Sequence, residues 1–214
     1  MRQRAGCFIF GLLAASIARA GGPSLPFASG IRPGDDPQRV ERSLRSAGTT
    51  SVIRIERHEP QALCRGLVDS GLLETMNHFR AAPLDEQSRL DPRAFHTILT
   101  ARIDGRQHTL AFRDATAKSS PPRIEAALVR IPVPVDPSQD PPGGWSPRRL
   151  HRLREALAEL APCRMQPADT DRHGNTFAWR GTHPAGWTVH AWYLPERDEL
   201  RVLSTARAND RATK

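Results

Sequence analysis

Apolar positions along this chain recur with two different periods, and the alternation between them predicts short helices and strands. Leu150, Leu153, Leu157 and Leu160 share one helical stripe with arginines between them. Ser146 stands at the N-cap of that helix, Pro147 at its first turn, and Pro162 closes it. Leu63, Leu67, Leu72 and Met76 follow Pro60 at similar spacing, although Gly66 and Gly71 interrupt the run. Ser51 to Arg57 is rich in β-branched residues and reads as a strand. Phe95, Thr97, Leu99, Ala101 and Ile103 alternate along the chain and share one face of a strand, Asp104-Gly105 is a type I′ turn signal, and Gln107 to Arg113 returns as the second strand of a hairpin. Pro121-Pro122 precedes Ile124, Leu128 and Ile131, whose spacing predicts a short helix. Three further strands are expected at Thr176 to Gly181, Gly186 to Leu194 and Glu199 to Thr205, with a turn at Pro195 to Asp198.

These elements predict an α+β fold of antiparallel sheets with packed helices, a β-α-β-β-α part followed by an α-β-β-β part. The first part spans residues 51–131 and the second 148–207, separated by a Pro-rich linker at 132–147 that reads as extended and semi-rigid. Residues 208–214 read as a frayed tail. Residues 21–50, opening with the Gly/Pro/Ser-rich GGPSLPFASGIRPGDDP, read as a flexible leader.

The first twenty residues change the picture most. Arg2 and Arg4 precede an apolar run from Ala5 to Ala18, which ends on the small-residue site Ala18-Arg19-Ala20; this is the pattern of a secretory signal peptide. The run is shorter than the roughly 20 apolar residues of a spanning helix, so the mature chain is expected to carry no transmembrane segment and to work in the periplasm or outside a bacterial cell. Removing Arg2, Arg4 and Arg19 from the formal charge of +8 leaves +5. The positive charge is almost entirely arginine, with Lys118 and Lys214 the only lysines. It is scattered and not gathered into a stripe with interleaved aromatics, which argues against nucleic acid as a partner and leaves a weak contact with an anionic envelope.

Cys7 falls in the leader. Cys64 and Cys163 then form one disulfide in an oxidising compartment or remain two buried thiols, and the bridge is the expectation. Neither has a catalytic signature around it. Asp169 to Asn175 resembles the start of a calcium loop, but His173 and Arg180 stand where oxygen ligands belong, and a polar turn is the expected reading. No HExxH is present; His96 and His108 could face each other across the Asp104-Gly105 hairpin, an arrangement more often a solvated contact than a zinc site. No GxSxG surrounds Ser119, Ser120 or Ser204, and carboxylates such as Glu155 and Glu159 have helix arginines beside them. No cofactor and no catalytic activity are expected. Trp179, Trp187 and Trp192 fall in the C-terminal strands, with Trp187 and Trp192 of opposite parity, so that one faces the core and the other is a candidate interface anchor.

Leu67-Val68-Asp69-Ser70-Gly71-Leu72-Leu73-Glu74, followed by the aromatic-led strand, hairpin and return strand from Phe95 to Asp114, resembles emfourin, a family of protein inhibitors of thermolysin-like zinc metalloproteases. The resemblance covers residues 50–131 and has no counterpart in the C-terminal part. It implies the β-α-β-β-α order and a protease partner, and it assigns no inhibitory residue. Together these readings predict an exported, non-enzymatic protein that binds and neutralises another exported protein, a protease or a toxin. The alternative is an envelope- or glycan-binding accessory module using its basic, Trp-containing surface.

Overall fold

The computed structural model describes residues 30–49, 51–79, 95–114, 121–133, 145–160, 163–171 and 173–206. The expected signal peptide, most of the Pro-rich linker, Pro162 and the tail lie outside these residues. The elements run α1 (Pro37–Ser46), β1 (Val52–Glu56), α2 (Pro60–Asp69), α3 (Leu72–His78), β2 (Phe95–Ile103), β3 (Arg106–Arg113), β4 (Arg123–Pro132), α4 (Pro147–Ala158), β5 (Gln166–Thr170), β6 (Thr176–Thr182), β7 (Trp187–Leu194) and β8 (Glu199–Ala206). All eight strands join one antiparallel sheet in the order β1-β2-β3-β4-β8-β7-β6-β5.

This corrects the α+β expectation of separate sheets with packed helices. The fold is β-rich, one sheet with short helices laid on its two faces. The parts expected to stand on either side of the linker meet along β4 and β8, in register from Ala126↔Thr205 to Pro132↔Glu199. α1 followed by β1 to β4, and α4 followed by β5 to β8, each run as a helix and then four strands in meander order, with α2 and α3 inserted after β1.

The largest local correction is β4, which takes the place of the helix expected after Pro121-Pro122. Every residue from Ile124 to Val129 is buried. A strand covered on both faces loses the polar alternation that marks a half-exposed one, so Ile124, Leu128 and Ile131 imitate helical spacing. A register shift against Ala111 and Phe112 places an extra residue at Glu125. Ile124 can therefore share a face with Ala127, Val129 and Ile131 despite its opposite parity. Glu125 is buried against Arg113, 2.7 Å away. The β-α-β-β-α order implied for the first part is thus β-α-α-β-β-β.

Residues 37–46, expected to belong to a flexible leader, form α1. Asp36 accepts a hydrogen bond from the Arg39 amide at 2.9 Å and Pro37 fills the first turn, a capping arrangement that offsets the low apolar content of the helix. Val40 and Leu44, one turn apart, bury its single apolar edge. β5 is an edge strand that the apolar pattern does not mark, because all five of its residues are exposed. The Asp104-Gly105 hairpin, the Ser146-Pro147 start of α4, and β1, β6, β7 and β8 form where expected. Asp104 and Gly105 both take positive φ, 48° and 75°, as a type I′ turn requires.

Two apolar clusters lie on opposite faces of the sheet. Leu99, Ala101 and Ile103 of β2 point into the larger one, covered by Val40 and Leu44 of α1 and Leu153 and Ala156 of α4. Ile98, on the other face, joins Leu63 and Leu67 of α2 and Leu72 and Met76 of α3. Gly66 lets α2 come this close: a Cβ there would sit 2.4 Å from Ile98 Cδ1. Its low helix propensity is therefore offset by tertiary packing. Gly66→Ala should lower stability by about 1 kcal/mol, overpacking of 1 to 3 kcal/mol against a propensity gain of just under 1. In the Ile98→Val background, which lacks the clashing atom, Gly66→Ala should cost little. A double-mutant cycle by urea denaturation measures this coupling.

The expected Cys64–Cys163 disulfide is not formed; both cysteines are free thiols. Cys64 is exposed on α2, against the face of the smaller cluster, whereas Cys163 is buried in the larger one. The sheet stands between them, and a bridge needs Cα atoms within about 7 Å. Burial pushes the Cys163 thiol up to about 11, which keeps it protonated and inert.

Candidate functional site

The three tryptophans singled out from the sequence are separated by the strand alternation. Trp187 is fully buried in the larger cluster, its indole N–H donating to the Ile31 carbonyl at 3.4 Å. Trp179 is half-buried against the same cluster. Trp192 lies on the opposite face, half-buried, and it is this residue that builds a surface. Its cover is the end of α3, not the Leu150 to Leu160 helix.

Residues directly opposite one another across adjacent strands share a face. Reading across the second face, Gln107, Arg130, Arg201, Trp192 and Ala178 stand in one row through β3, β4, β8, β7 and β6. Two arginines side by side would repel, and Glu199 resolves this by binding both. Its Oε1 accepts from Arg201 Nε and its Oε2 from Arg130 Nε, each at 2.7 Å. Arg201 is only 1% exposed. Its Nη1 reaches Glu74 of α3 at 2.7 Å and Thr75 Oγ1 at 3.3 Å. Arg197 adds a second contact to Glu74 at 3.2 Å.

Gly71, at φ 76°, permits this arrangement, because a Cβ there would come within 2.8 Å of the Arg201 guanidinium carbon. The charges hold one another ionised. The Arg201 hydrogen bond is the main cause of a lowered Glu74 pKa. Burial pushes Glu199 upward, but hydrogen bonds from Arg130 and Arg201 outweigh it and hold its carboxyl below the usual range.

The Arg201 guanidinium also lies over the Trp192 ring, 5.7 Å from its centroid. His78, the last residue of α3, stacks on Trp192 with ring centroids 3.9 Å apart and planes 2° from parallel. Phe79 stands edge-on to both rings and 4.7 Å from His190. Phe177 approaches His78 at 6.4 Å. Desolvation lowers the His78 pKa despite Asp169 and Glu74 nearby, so the stack is neutral near pH 7. The result is an aromatic platform of exposed His78 and half-buried Trp192, Phe79 and Phe177. Exposed Arg197 and Arg180 lie beside its charged and histidine components. An anchored, preorganised aromatic surface of this kind suits recognition of a protein or a sugar, since the aromatic area is large and little side-chain freedom remains to be lost.

The other candidates resolve otherwise. His108 pairs in register with Ala101, and His96 lies at the far end of the hairpin, so the two are not brought together. His108 is buried with neither ring nitrogen hydrogen-bonded among the described residues. Asp171 caps the turn between β5 and β6, accepting from the amides of His173 and Asn175 at 2.8 and 2.9 Å, a polar turn as expected. Among the described residues no group of three or more His, Cys, Asp or Glu side chains is arranged to hold a metal ion. Glu159 pairs with Arg106 of β3, and Glu155 with Arg152. Arg201, Glu74, Glu199 and His78 carry no sequence signal for the site, because each acquires its role only from partners far along the chain.

Comparisons with protein-family models, with curated proteins and with solved structures each found no match.

Proposed function

We propose that this chain is an exported, non-enzymatic protein that binds another exported protein and neutralises it by occlusion, presenting the Trp192–His78 platform as its anchor. The observation that carries this reading is the packing of that platform. Trp192 is held by the stacked imidazole of His78 and by a buried arginine that is itself held by two carboxylates. A half-exposed aromatic already held in place is the kind of residue that dominates binding energy at protein interfaces. Export is supported by the basic, apolar and small-residue pattern of residues 1–20. A zinc metalloprotease as the target is supported by the emfourin resemblance of residues 50–131 alone.

The test is a pull-down from native periplasm and culture supernatant, with the chain from Gly21 onward as bait and mass spectrometry as the readout. The expected result is one co-exported protease or toxin at near-equal stoichiometry, lost with Trp192→Ala while the far-ultraviolet circular dichroism is unchanged. Truncating an interface anchor costs 2 kcal/mol or more, at least about a thirtyfold loss of affinity. Recovery of cell-wall fragments alone would replace this reading with the glycan-binding one, for which the same platform would stack on sugar rings.

A further inference from the structure

We propose that a second copy of this chain pairs with the β1 edge, giving an antiparallel dimer whose sheet runs continuously through both copies. The two edges of the sheet are built differently. β5 carries the features that keep an edge from pairing: Pro167, two register shifts against β6, and five exposed residues ending in Asp169-Thr170. β1 carries none of these. Val52 to Glu56 keeps unbroken register with β2, contains no proline, and among the described residues has a strand on one side only. Ile53 on β1 and Val68 on α2 are each 57% exposed, and they are the large hydrophobic side chains left exposed among the described residues. α2 packs against β1 through Ile55 and Gly66, so both belong to the same margin of the molecule.

The occupant follows from the charges on that edge. Arg54 and Glu56 share a face of β1 and pair with each other at 2.6 Å while both stay partly exposed. Because the chain turns after Glu56, an antiparallel copy centred on Ile55 pairs through residues 54–56, with Ile55 facing Ile55 and Arg54 of each copy facing Glu56 of the other. The strand is thus complementary to itself in charge. A register one residue away would oppose Arg54 to Ile55 or to Arg57, and the charges would no longer match. The dimer is independent of the Trp192 platform, which lies toward the opposite edge.

The experiment is sedimentation velocity on the full chain, expressed with its own N-terminal segment and purified as the cell delivers it, from about 1 to 100 µM. The expected result is a monomer–dimer equilibrium in that range. Arg54→Glu and Glu56→Arg should each weaken it at least about tenfold, because each turns two attractive cross-strand pairs into repulsive ones. An equimolar mixture of R54E and E56R chains should dimerise again, since the two acids of one strand then face the two bases of the other; the R54E/E56R double variant should also dimerise. Unchanged circular dichroism of the single variants keeps the comparison on association. A wild type that stays monomeric at 100 µM, single variants that dimerise like wild type, or a mixture that does not recover would each overturn the proposal.

Discussion

Lowering the pH from 7 to 4 should remove about 6 kcal/mol of stability, before most carboxylates are protonated. The source is a pair of buried histidines on opposite faces of the sheet. His108 lies in the larger cluster, 1% exposed, and burial lowers its pKa to about 4, with Arg106 adding to the shift and Asp104 opposing it. His190, 3% exposed beneath Phe79, is likewise lowered to about 4 by burial and then by Arg180. In the unfolded chain both titrate near 6.5. Between about 4 and 6.5 the unfolded state therefore binds more protons than the folded state, so stability rises with pH through that window and is lost as pH falls through it. Each shift is worth about 3 kcal/mol. Glu74 and Glu199, whose folded pKa values are lowered, act in the same direction below about 4.5, where their contribution is lost as they protonate.

Urea denaturation at pH 7, 6, 5 and 4 measures the slope. His108→Leu should roughly halve the loss between pH 6.5 and 4. At pH 7 it should be near neutral, because it replaces two ring nitrogens without hydrogen bonds among the described residues by apolar volume. A variant with the wild-type slope would show that His108 is not the group that titrates.

Arg201→Met should cost about 3 kcal/mol at pH 7. Removing one member of a buried ionic network leaves its partners as uncompensated charges, which is more damaging than never having had the network. Glu199 would keep Arg130, and Glu74 would keep Arg197, which places the expectation at the lower end of the usual 3 to 5 kcal/mol. Arg201→Lys should rescue little. The native guanidinium binds Glu199 through Nε and Glu74 through Nη1 at once, and a single ammonium cannot span both carboxylates. Adding Glu199→Leu to Arg201→Met should add to the loss, because Arg130 then loses its carboxylate. The urea midpoint reports each step, and an Arg201→Met variant within about 0.5 kcal/mol of wild type would show that the network adds nothing to stability. The change in tryptophan fluorescence between Arg201→Met and wild type adds a second readout, since the side chain that lies over the Trp192 indole is gone.

The elements that are local and half-exposed are legible in the residues alone. Asp104-Gly105 specifies its hairpin because two consecutive positive-φ residues suit few other structures. Ser146-Pro147 specifies the start of α4 because cap and first turn are satisfied within four residues. The alternating strands β2, β6 and β7 keep one face partly polar, so their period survives in the pattern. Asp36-Pro37 carried the same capping signal for α1, hidden by the Gly- and Pro-rich residues before it.

The remaining elements depend on partners distant in sequence, whose energies no local pattern carries. β4 has helical spacing until a sheet and helices cover both its faces, and β5 is polar until β6 offers it a ladder. Gly66 and Gly71 read as helix breakers until Ile98 and Arg201 need the space they leave. Cys64 and Cys163 read as a pair until the sheet comes between them. Trp192 could be told from Trp187 only as one of two opposite parities; which of them would be left at the surface was decided by α3, whose Glu74, Thr75 and His78 meet residues more than 100 positions away.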